Sequence, residues 1–106
     1  MNIIDLQKES INYALEMHLN MMKHLGLAMV LDDEKPQIII DALSSMDGVG
    51  RMMIHDSMKD YEFNQEYKNF VESQLTLIWK EALEVTKNWN AKYKGMSINE
   101  EWEKGV

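Results

Sequence analysis

The sequence predicts an all-α fold, a small bundle of about four helices, and three observations carry that prediction. Apolar residues recur at alternating steps of three and four toward both ends of the chain, which is the period of a helix with one buried face. Breakers are scarce, with one Pro and five Gly among 106 residues, and these are the residues that interrupt helices. Only Ile38-Ile39-Ile40 reads as a strand, and without a second strand to pair with, its backbone groups would stay unsatisfied in an extended form.

The first helix is expected over 2–31. Ile4, Ile11, Leu15, Met22, Leu25 and Met29 form its seam, interrupted at the same phase by Lys8 and His18. Ala14, Met17, Met21 and Ala28 form a second stripe that is expected to widen the buried face. Gly26 costs about 1 kcal/mol against Ala within a helix, so the last turn is expected to bend or stop early. A second helix is expected over 34–46, started by Asp33 as cap and by Pro36 in its first turn. Asp47-Gly48-Val49-Gly50 has turn composition, and Met52, Met53, Ile54 and Met58 then give a short third helix over 50–60. The fourth, 63–94, carries Val71, Leu75, Ile78, Ala82, Val85, Trp89 and Tyr93, which share an arc of roughly 80° at about 100° per residue. Gly95 ends it, and Ser97-Ile98-Asn99-Glu100 has capping-box spacing for a terminal turn around Trp102.

Residues 1–106 are expected to form a single domain with the long first and last helices packed together. A helix over 63–94 is roughly 48 Å long at about 1.5 Å per residue, whereas a compact chain of this size has a radius of gyration of about 13 Å. That overshoot predicts a homodimer or higher oligomer, with Val71, Leu75, Ile78, Trp79, Val85 and Trp89 at the interface.

Charge narrows the function. Eighteen Asp and Glu stand against eleven Lys and Arg, a net of −7, which disfavours direct gripping of a phosphate backbone. Residues 32–66 hold nine acids and three bases, whereas 67–106 hold six of each. Cys is absent, which removes disulfides, thiolate nucleophiles and Cys-type zinc sites. Asp5, Lys8 and Glu9 stand where a signal peptide needs an apolar core, and the longest apolar run, 25–31, is too short to span a bilayer. A cytoplasmic protein that avoids membranes is therefore expected.

No complete constellation for catalysis or metal binding is visible. None of His18, His24 and His55 has Glu three residues before it, so no cofactor or metal is expected. His18 and Met22, with Met21 nearby, give half of a soft copper(I) site, and the plainer reading makes His18 a polar break in the seam. Asp32-Asp33-Glu34 lacks the sixth-position glycine of an EF-hand. Gly48-Val49-Gly50 has neither the strand nor the third glycine of a dinucleotide loop. Asp56 with Asp60 and Glu62 with Glu66, each four apart, read as a solvated face.

Two family resemblances supply alternatives. Arg51 and His55, four apart on one helical face, resemble the catalytic pair of the all-helical HEPN ribonucleases, with only Met52, Met53 and Ile54 between them. Gln74-Leu75-Thr76, Trp79 and Glu81-Ala82 resemble part of the last helix of the small phage antirestriction proteins that mimic DNA, which implies blocking of a DNA-binding enzyme. The leading expectation is a non-enzymatic inhibitor, immunity-type or adaptor protein. Met52 and Met53, rimmed by Asp32, Asp33, Glu34, Asp41, Asp47, Asp56, Asp60 and Glu62, would dock on a protein with a basic surface. The acids would steer the encounter, and the polarizable Met side chains would hold it.

Overall fold

A computed structural model of the chain describes residues 2–31 and 35–94. They form three helices, α1 (Ile3–Leu31), α2 (Pro36–Met58) and α3 (Gln65–Lys94). The two long helices start in the same way. The Asn2 side-chain oxygen accepts from the Asp5 amide at 2.9 Å, and Asn64 accepts from the Tyr67 amide at 2.8 Å. Each Asn thus satisfies one of the orphan donors of a first turn. α2 starts at Pro36, after an extended Lys35 (φ −77°, ψ 150°) that makes no side-chain capping bond. The ring of Pro36 disfavours a helical conformation in the residue before it. The cap expected at Asp33, together with Asp32 and Glu34, lies outside the described residues.

The expected second and third helices are one. Residues 47–50 continue α2 instead of turning, which reduces four helices to three. A Cβ built on Gly50 would stand 2.3 Å from the ring of His18, so this glycine lets α1 and α2 approach where any side chain would collide. The packing gained there offsets the roughly 1 kcal/mol that glycine costs a helix. Asp47 binds Arg51 one turn on, which further ties the segment into the helix.

Cross-helix contacts fix the topology. The Tyr67 hydroxyl reaches the Lys8 carbonyl at 3.3 Å and Asn12 Oδ1 at 3.2 Å, Lys23 pairs with Glu81, and Gly26 lies against Thr86. Sequence separation stays near 60 along these contacts, so α1 and α3 run parallel over residues 8–26 and 67–86. Arg51 reaches Leu75, and His55 reaches Glu72, so α2 runs antiparallel to α3. α1 and α3 share the largest contact, as the two seams require, and α2 leans mainly on α1.

The core consists of Ile11, Leu15, Met22, Ile39, Ile40, Leu43, Ile54, Met58, Phe63, Val71, Leu75, Ile78 and Ala82. Most of the residues expected at an oligomer interface belong to this core or pack against it. Val71, Leu75 and Ile78 are buried within the chain, and Trp79 and Trp89 pack against its core half-buried, as Val85 also is. The overshoot argument assumed a near-spherical globule, but the molecule is a rod of 51 × 20 × 18 Å, in which α1 covers α3 along its length. Gly26 does not end α1 early. Its missing side chain admits Thr86, whose hydroxyl would otherwise sit 2.0 Å from a Cβ. The second α1 stripe also departs from expectation, because Met17 and Met21 face solvent. The capping box at 97–100 and Trp102 lie outside the described residues.

Candidate functional site

Helical phase divides α2 into an inner and an outer face, and the residues singled out from the sequence fall on both. On the inner face Asp47 is buried. Its Oδ1 lies 3.0 Å from His18 Nε2, and its Oδ2 accepts from Arg51 Nε at 2.7 Å. Arg51 also donates through Nη2 to the Leu75 carbonyl at 3.1 Å. One carboxylate thus ties α2 to α1 directly and to α3 through Arg51. Such a network is stable because each buried polar group has a partner. Asp47, expected at the rim of a docking patch, is instead part of this latch. A buried acid one turn before Arg is neutralised more effectively inside than in water only if its remaining oxygen is also bound, and His18 supplies that bond.

The outer face is different. Met52 and Met53 are each 64 % exposed, and Ile38 and Val49 lie exposed on the same helix. Asp41 and Asp56 are exposed along α2, and Asp60 and Glu62 in the turn that follows. Asp41 accepts from Gln37 at 2.7 Å. Asp56 pairs with Lys59 at 2.7 Å, both side chains about two-thirds exposed. That hydrogen bond and the carboxylate charge hold the Lys59 ammonium above its ordinary range. Of the ten residues expected in the docking patch, Asp41, Met52, Met53, Asp56, Asp60 and Glu62 are exposed, Asp47 is buried, and Asp32, Asp33 and Glu34 lie outside the described residues.

Two shallow depressions meet at His55. One, of about 530 Å³, is lined by Gly48, Arg51, Met52, His55, Asp56 and Lys59. The other, of about 220 Å³, is lined by His55, Met58, Lys59, Lys68 and Glu72. His55 Nε2 pairs with Glu72 Oε1 across the α2–α3 seam, with both side chains about half exposed. Arg51 and His55 therefore share a wall, but the Arg51 Nε and Nη2 groups are engaged inside the bundle. His18, the half-site considered for copper, faces Asp47, and Met22 is fully buried. Among the described residues no three His, Cys, Asp or Glu side chains converge to hold a metal, and no helix is long and apolar enough to cross a membrane.

Sequence reasoning did not anticipate the partnership of His18 with Asp47 or the close approach at Gly50. The available signals were the interruption of the α1 seam by His18 and the four-residue spacing of Asp47 and Arg51. The chain matches no family model, no curated protein and no solved structure.

Proposed function

We propose that this chain is a small non-enzymatic interaction protein, an inhibitor, immunity-type or adaptor protein, whose outer α2 face docks on a basic protein surface. The observation that carries the reading is the division of α2: Asp47 and Arg51 neutralise each other inside, leaving Met52 and Met53 exposed among Asp41, Asp56, Asp60 and Glu62 outside. Unbranched Met side chains adapt to irregular surfaces, and clustered carboxylates accelerate encounter with a cationic partner. The Asp56–Lys59 pair stands about two-thirds exposed, and exposed pairs of this kind exchange readily for a partner's cation.

The test combines charge reversal with salt. Asp56→Lys with Asp60→Lys and Glu62→Lys is expected to lose the protein that wild type retains from a lysate of the native host, and wild-type retention is expected to weaken as salt rises. Unchanged retention by the triple variant contradicts the proposal. Competition of that retention by duplex DNA would point to the DNA-mimic reading instead. The shared wall of Arg51 and His55 favours one further reading, a HEPN-like ribonuclease, for which cleavage of mixed RNA must be present in wild type and absent in His55→Ala.

A further inference from the structure

Outside the α2 face, the largest unexplained feature is on α1. Ile3, Leu6, Tyr13, Met17 and Met21 are between 42 and 64 % exposed. At about 100° per residue they fall within an arc of roughly 80°, on the side of α1 away from the residues that meet α3. Ser10, His24 and Ala28 also fall in that arc, so no carboxylate, Lys or Arg interrupts it over seven turns. Val49 and Met53 of α2, both exposed, lie on the flank of α2 nearest α1 and extend the strip sideways.

From this strip we infer that a second copy of the chain packs on α1, forming a two-fold dimer. Area is the first argument. Seven large side chains about half exposed, at roughly 150–200 Å² each, offer on the order of 650 Å². That is slightly above the largest patch a typical monomer leaves bare, about 300–600 Å², and twice it falls within the roughly 1,200–2,000 Å² that specific interfaces bury. Charge is the second. The strip gives a basic partner nothing to pair with, and its nearer border carries Glu9 and Glu16, where an anionic lipid surface would require Lys or Arg. A self-complementary apolar strip needs no opposite charge, which suits an isologous contact.

This surface overlaps the outer face of α2 only at Val49 and Met53, and salt distinguishes the two contacts experimentally. Bordering carboxylates on both copies repel, so the dimer is expected to hold or tighten as salt rises, whereas docking of a basic partner weakens. Sedimentation equilibrium on the full chain at micromolar concentration should give twice the 12.4 kDa chain mass. Tyr13→Glu with Met17→Glu should return it to a single chain with unchanged far-ultraviolet helical signal, since both side chains are exposed in the folded chain. Asp56→Lys should leave the dimer intact. A wild-type monomer across the concentration range overturns the inference, as does a dimer that survives the Tyr13→Glu, Met17→Glu change. A wild-type monomer that dimerises only after deletion of residues 95–106 also overturns it, by showing that the chain covers its own strip.

Discussion

The two faces of α2 hold the same kinds of residue and treat them in opposite ways. Inside, Asp47 and Arg51, four apart, are held at 2.7 Å by a carboxylate that also binds His18. Outside, Asp56 and Lys59, three apart, are held at the same distance but stand in water. Equal geometry does not mean equal energy. Breaking a buried pair strands a desolvated charge, whereas breaking an exposed one returns both groups to solvent. The Met residues divide likewise, with Met22 and Met58 in the core and Met52 and Met53 outside. One face of the helix therefore holds the fold together, and the other stands in water.

The largest expected effect comes from Asp47→Ala. It leaves His18 and Arg51 without their shared carboxylate, and about 3 kcal/mol of stability should be lost, read as a lower urea midpoint with an unchanged slope. Arg51 retains some solvent, which keeps the loss at the lower end for buried pairs. A midpoint within error of wild type would remove the distinction between the faces.

Next come the glycines that permit close helix approach. Alanine improves helix propensity by about 1 kcal/mol, yet Gly50→Ala and Gly26→Ala should each destabilise by about 2 kcal/mol, because the new methyl meets His18 or Thr86. Gly48→Ala, which meets nothing within 4 Å, should stabilise. If all three behave alike in thermal unfolding, α1 does not meet α3 at Gly26 and α2 at Gly50 at close range.

A smaller effect is expected at Tyr67. Loss of its hydroxyl contacts to Lys8 and Asn12 in Tyr67→Phe should cost about 1 kcal/mol. Burial also raises this phenol above its ordinary 10.0. The unfolded chain ionises first, so stability falls as pH rises from about 10 toward the folded value. The midpoint lost between about pH 8 and about pH 11 should therefore be smaller in Tyr67→Phe than in wild type.

The smallest effect belongs to the outer face. Asp56→Asn should alter stability by no more than about 0.5 kcal/mol. A loss approaching that of Asp47→Ala would mean that the outer pair is structural.

Much of this fold was legible in the sequence because periodicity reports burial. The seams through Ile11, Leu15 and Met22 and through Val71, Leu75 and Ile78 mark the long helices and their mutual packing. What periodicity does not report is which chain covers a buried face, and in the α3 seam Val71, Leu75 and Ile78 are covered within this chain. Gly48 and Gly50 look like a turn because composition does not show whether a missing side chain marks a bend or a close approach. Asp47 and Asp56 are alike in a count of charge, and only their phase on α2, nine residues apart, separates latch from surface. The exposed strip on α1 was partly visible as Met17 and Met21 but was assigned to the core, since an apolar period alone does not distinguish an interior from an uncovered face.

The most direct test of the two-faced helix is a pair of double-mutant cycles read by urea unfolding, Asp47→Ala with Arg51→Ala and Asp56→Ala with Lys59→Ala. The inner pair is expected to show a coupling above about 1 kcal/mol and the outer pair none that can be measured. Equal couplings, or a larger one outside, would contradict the division of α2 on which the proposed docking surface rests.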